Sequence, residues 1–140
     1  MSTTPIAAAI RRRIQERAGG RCEYCLLAEE DAYFSHETDH IIAEKHGGET
    51  NLDNLAWSCF DCNRFKGSDI SSLDPITNEL TRLFNPRTDD WRGNFRTSHG
   101  IIEALTTTGR VTEKLLKLNL PARVEIRFEL TLARRFPKFD

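Results

Sequence analysis

The cysteines of this chain all fall in two matched spacings, Cys22-Glu-Tyr-Cys25 and Cys59-Phe-Asp-Cys62. A C-x-x-C turn sets two sulfurs close enough to grip one ion, and two such turns supply the four ligands of a tetrahedral zinc site. The two turns must then meet, and the 33 residues between Cys25 and Cys59 must fold as a closed excursion. Other uses of paired cysteines fit less well. Local disulfides belong to oxidising compartments, and nothing in the residues marks the chain as secreted. A thioredoxin-like redox pair needs a βαβ setting that neither turn has. Four thiolates leave no open position for water, so the expected Zn2+ is structural and not catalytic.

The excursion reads as strand, loop, strand and short helix. Tyr33 to Ile42 and Leu55 to Ser58 carry the strand formers, with Gly47-Gly48 and Asn51 as loop chemistry between them. Phe60 to Lys66 reads as a helix stopped by Gly67. The net charge of −1 hides an asymmetry: residues 1–21 are net +4, 22–62 net −9 and 63–140 net +4. An acidic centre between basic flanks suits a site that holds a cation while its surroundings hold a polyanion, and equally suits a solvated acidic loop. Charge leaves these two open.

The residues of the excursion decide between them. Asp39-His40-Ile-Ile-Ala, then His46-Gly-Gly, Asn54-Leu, Cys59-x-x-Cys62-Asn63 and Lys66-Gly67 together resemble the HNH endonuclease signature, the ββα-metal nuclease motif in its four-cysteine form. The resemblance covers residues 22–67 and extends loosely to a leading helix at 5–21. It implies that Asp39 and Asn63 hold one catalytic Mg2+ or Mn2+, that His40 is the general base that activates water, and that Asn54 fixes the loop around it. It implies DNA as partner, cleaved to a 5′ phosphate and a 3′ hydroxyl. His46, Arg64 and Lys66 are candidate phosphate contacts, the bland alternative being solvated polar side chains. His36 and His99 read as surface residues. The chemistry is plausible in itself, because a histidine near its ordinary pKa of ~6.5 can accept a proton at neutral pH. Strand alternation raises one difficulty, since neighbours such as Asp39 and His40 should point to opposite faces. The rival function is a non-catalytic zinc module that binds nucleic acid or protein; it would tolerate loss of Asp39, His40 or Asn63, and all are present.

With 140 residues there is room for one domain, or a small catalytic module with an extension. The expected class is α+β: a zinc-stapled ββα-metal module over 1–70, with 71–140 a hairpin-plus-helices extension packed on it. Ile6, Ile10 and Ile14 form one face of an N-terminal helix, which fits better than a transit peptide despite Arg11, Arg12 and Arg13. In the extension, Asp74-Pro75 marks a turn. Phe95–Ser98 and Ile101–Leu105 read as a hairpin, and Thr108 as the cap of a helix running to Leu118. Val124 to Leu132 alternates like a strand, but its composition and Pro121 favour a helix. Arg87, Arg92 and Arg96 are further candidate DNA contacts. No apolar run approaches the ~20 residues a membrane helix needs, so no membrane partner and a cytoplasmic location are expected.

Overall fold

The computed structural model describes residues 5–137. They fall into two compact units, Met1–Ile70 with Asn85–Arg87, and Ser71–Phe84 with Thr88–Asp140.

The first unit opens with α1 (Ala8–Arg17). Its four-residue isoleucine spacing is used as expected: Ile14 is buried with Leu55 and Trp57, and Ile6 and Ile10 pack partly against that cluster. Arg17 ties the end of α1 to the excursion, donating to the carbonyls of Leu52 at 2.9 Å and Leu55 at 2.6 Å. β1 (Glu37–His40) pairs antiparallel with β2 (Leu55–Ser58), with Glu37 opposite Ser58 and His40 opposite Leu55. β1 is shorter than the apolar run suggested, because Tyr33 to Ser35 stay exposed and unpaired with β2. Every residue of β2 is buried, so both of its faces are covered.

α2 (Phe60–Lys66) follows at once. Cys59 caps it, its sulfur accepting the Cys62 N–H at 3.4 Å, so one side chain both starts the helix and belongs to the knuckle. Gly67 stops it at φ +52°, in a left-handed conformation that glycine tolerates without a Cβ penalty.

In the second unit, β3 (Ser71–Leu73) and β4 (Leu80–Arg82) form a hairpin that the sequence pattern did not indicate. Asp74 leaves β3 fully buried and accepts two bonds from Arg110, at 2.8 and 2.9 Å. A single turn, α3 (Trp91–Asn94), leads into β5 (Phe95–Ser98), which pairs with β6 (Ile101–Ala104) in the expected hairpin. α4 spans Thr107–Leu116 and α5 Pro121–Leu132. The cap of α4 is Thr106 and not Thr108: its hydroxyl accepts the Gly109 N–H at 2.9 Å and donates to Asn94 at 2.6 Å. Phe84, Phe95, Ile102, Val111, Leu116, Leu118 and Phe136 are buried in this unit.

Candidate functional site

Cys22, Cys25, Cys59 and Cys62 converge from the loop after α1 and from the β2–α2 junction, all buried, all free thiols, with their sulfurs within 4.8 Å of one another. Cys25 and Cys59 sulfurs are 3.6 Å apart. A zinc tetrahedron with bonds of ~2.3 Å sets its sulfurs about 3.8 Å apart, so the donor set and spacing fit zinc. Hydrogen bonding to Cys22 pushes the Cys59 thiol up, and burial pushes the Cys62 thiol up. A dication that replaces those protons relieves the crowding, which couples metal binding to folding.

The knuckle is stitched to the strands. The Glu23 N–H donates to the Trp57 carbonyl at 2.8 Å, and the Glu23 carboxylate accepts the Trp57 N–H at 2.7 Å and pairs with Arg87. β1 and α2 thereby carry their polar residues on a frame tied to the four-cysteine cluster.

Asp39 is buried and points at two partners. Its Oδ2 accepts from the Tyr24 hydroxyl at 2.7 Å, and Lys66 Nζ lies 3.1 Å from Oδ2 and 3.3 Å from Oδ1. Lys66 also donates to the His40 carbonyl at 3.0 Å. Burial raises the Asp39 carboxyl pKa, with Lys66 and Tyr24 acting the other way. Burial, with Asp39 beside it, holds the Tyr24 phenol well above its usual value, so Tyr24 stays a donor. Lys66, expected as a phosphate contact, is only 2% exposed and faces inward.

Alternation along β1 turns His40 away from Asp39. His40 Nε2 lies 2.8 Å from the Thr50 hydroxyl, and that hydroxyl donates to Glu44 at 3.0 Å. Asn54 clamps the loop between them: its Oδ1 accepts the Ile42 N–H at 2.9 Å, while its Nδ2 donates to the Ile42 carbonyl at 2.9 Å and the Glu49 carbonyl at 2.8 Å. Gly48 fits beneath this clamp, since a Cβ there would lie 1.7 Å from the Ile42 carbonyl oxygen. Asn63, buried on α2, donates to the Glu37 carboxylate at 2.7 Å. His46 is exposed, with Nε2 3.1 Å from the Ser68 carbonyl, and Arg64 is exposed on the outer side of α2. His36, read as a surface residue, is buried and bonded through Nε2 to the Leu27 carbonyl at 2.8 Å.

The structure thus brings Asp39, Lys66 and the backbone of His40 together, and Asn63 with Glu37. Glu37, Tyr24, Thr50 and Glu44 were not singled out from the sequence. Glu37 carried a usable signal, being two residues from Asp39 and so on the same face of the strand. Thr50 and Glu44 carried none, because a loop has no period.

A ββα unit clipped by four thiolates, with an aspartate, a histidine and two asparagines on or beside it, defines a zinc-stapled ββα-metal class. Residues 22–69 match the family model described as HNH endonuclease. None of the curated proteins and none of the solved structures matches the chain. Among the described residues, no helix is long and apolar enough to cross a membrane.

Proposed function

We propose that this module hydrolyses phosphodiester bonds in DNA, with His40 as general base and a divalent ion held by Asp39 and Asn63. The observation that carries the reading is the bonding of His40. The Thr50 hydroxyl proton is committed to Glu44, so the Thr50 oxygen is left to accept from His40 Nε2. That arrangement puts the ring proton on Nε2 and leaves Nδ1 as the basic nitrogen. Asn54 holds the loop that carries Thr50 and Glu44 against Ile42, next to His40.

The oxygen donors on the other side of β1 suit magnesium or manganese. A carboxylate has about four lone-pair sites; the Tyr24 bond goes to Oδ2, and Oδ1 carries only the longer Lys66 contact, which leaves Asp39 room for a ligand bond. Glu37 takes the amide nitrogen of Asn63 and so fixes its carbonyl oxygen as the end available to a cation. The bound ion would supply charge stabilisation at the phosphate and the departing 3′ oxygen. His40 is the last residue of β1, and that open end is where both sides of the strand can address one phosphate. Arg11, Arg12 and Arg13, all exposed on α1, supply positive charge for a polyanion.

Nicking of supercoiled plasmid tests the reading. EDTA mild enough to leave the thiolate site loaded should abolish nicking, and magnesium or manganese should restore it without added zinc. His40→Ala should lower the rate by about 100- to 10,000-fold while zinc content and thermal melting stay at parental values. Full activity in EDTA would remove the divalent ion from the mechanism, and parental activity in His40→Ala would place the general base elsewhere. No nicking by the parent under magnesium or manganese would leave the non-catalytic zinc module as the better description.

A further inference from the structure

The outer side of α2 carries an aromatic strip that neither the zinc frame nor the polar site uses. Tyr33 is 95% exposed and Phe34 53% exposed, an unusual presentation for two adjacent rings. They meet edge to face at 4.9 Å between centroids, and Phe34 lies 4.7 Å from Phe60 at a tilt of 39°. Arg64 continues the strip, its guanidinium 5.3 Å from the centre of the Phe60 ring and 4.8 Å from that of Phe65. Phe60 and Arg64 are four residues apart on α2 and so share a face, while Asn63 and Lys66 bond to β1 residues on the opposite side.

Three features bear on what this strip receives. It is rigid where it matters, because Phe60 sits between the zinc-knuckle residues Cys59 and Cys62. It is cationic at one end, since the exposed Arg64–Asp61 contact at 3.9 Å is too weak to engage the guanidinium fully. It adjoins the proposed cleavage site in sequence, because Tyr33 and Phe34 lie just before β1 and Phe60 begins the helix whose other side carries Asn63. Two exposed rings, Tyr33 and Phe34, with a guanidinium at the far end of the cluster, offer stacking surface and positive charge to nucleobases and their phosphates. In a duplex those faces are stacked and hidden; in a single or locally opened strand they are available.

We propose that Tyr33, Phe34, Phe60 and Arg64 form a stacking platform for unpaired bases, so that the preferred substrate is single-stranded or locally melted DNA. The proposal rests on the nuclease reading for its substrate, but binding can be measured without cleavage.

The test is fluorescence anisotropy of a labelled mixed-sequence oligonucleotide, single-stranded or annealed to its complement, with zinc-loaded protein and no added divalent ion. The parent should bind the single strand more tightly than the duplex. Tyr33→Ala and the Tyr33→Ala/Phe34→Ala pair should weaken single-strand binding by about 5- to 150-fold per lost stacking contact, with duplex binding, zinc content and melting unchanged. Tyr33→Phe should bind like the parent, since it keeps the ring. Equal parental affinity for single strand and duplex, or unchanged binding in the double variant, would overturn the proposal. So would light scattering that shows a parental dimer turned monomeric by the double variant, because the strip would then be a contact between copies. Tight single-strand binding without any nicking under magnesium or manganese would remove the nuclease reading and leave the platform standing; nicking with no strand preference would do the reverse.

Discussion

A lysine with 2% exposure is an expensive residue to place in a core, and Lys66 is there because Asp39 is. Each charge would be costly alone, and breaking such a buried pair typically costs ~3–5 kcal/mol. Lys66→Met keeps the aliphatic length and removes the ammonium, so it should lower stability by about that amount at neutral pH, read from urea midpoints. The pH dependence has a definite sign. Asp39 has a folded pKa raised by burial, so its contribution to stability is present below the unfolded value and lost as pH rises through the folded one. Without Lys66 the folded pKa rises further. The gap between variant and parent should therefore narrow as pH falls, over the range where zinc stays bound; a constant gap would mean that Lys66 acts by packing alone. At this scale the cysteine cluster was legible because paired C-x-x-C spacing is constrained by metal chemistry, while Asp39, His40, Asn54 and Asn63 were singled out only through the family resemblance. The inward turn of Lys66 and the burial of His36 were not, because a lysine on a short helix and a histidine before a strand are ordinarily solvated. What overrides that default is a partner distant in sequence, Asp39 for one and the Leu27 carbonyl for the other.

Among the elements, α5 inverts the usual rule for a surface helix. Its buried side chains are Arg123 and Arg127, while Ile126, Phe128 and Leu132 are exposed. The arginines serve carbonyls at the end of α4, in the turn that follows it and in the β5–β6 turn. Arg123 donates to Leu116 at 2.8 Å and Lys117 at 3.0 Å, and Arg127 donates to Gly100 and Leu118, both at 2.7 Å, and to the Asn119 side chain at 3.1 Å. Truncating Arg127 removes this donor from the Gly100 and Leu118 carbonyls, at about 1–3 kcal/mol for each unsatisfied group, while Asn119 Oδ1 keeps the Ile102 N–H. Arg127→Ala should destabilise the protein by at least ~2 kcal/mol in urea unfolding, whereas Ile126→Ala should stay within ~0.5 kcal/mol. The reverse order would mean that the exposed face of α5 is covered in solution. Here the sequence was half legible. Pro121 and the composition indicated a helix, while the alternation of Val124, Ile126, Phe128, Leu130 and Leu132 indicated a strand, because the buried positions of this helix are arginines and its apolar residues do not mark the inward face. The β3–β4 hairpin was illegible for a related reason: its strands are three residues each and mostly exposed, so no period can show. The Thr106–Thr108 run offers three equivalent caps, and Asn94, across the turn from β6, selects the first.

Over the whole molecule, the charge asymmetry acquires a meaning that composition alone could not assign. Residues 22–62 are net −9, yet Glu23 pairs with Arg87, Glu29 bonds Trp57, Glu37 bonds Asn63, Asp39 pairs with Lys66 and Glu44 bonds Thr50. These five of the ten acids are framework around the ββα unit, and a wholly solvated acidic loop would not be bonded in this way. With so much of the first unit's interior polar, the four thiolates must contribute much of its cohesion. Structural zinc sites in finger peptides bind with apparent free energies of ~10–16 kcal/mol, as large as the ~5–15 kcal/mol stability of an ordinary domain. The second unit contains no cysteine and has its own buried cluster of Phe84, Phe95, Ile102, Val111, Leu116 and Leu118. Removing zinc with a strong chelator, or replacing Cys59 by alanine, should therefore release amide protection across Glu37–His40, Leu55–Ser58 and Phe60–Lys66. Protection across Phe95–Ala104, Thr107–Leu116 and Pro121–Leu132 should persist. Hydrogen exchange read by mass spectrometry resolves the two sets. Loss of protection in both would show that the chain unfolds as one cooperative body, and unchanged protection in the first set would show that the four sulfurs are not what holds the ββα unit together.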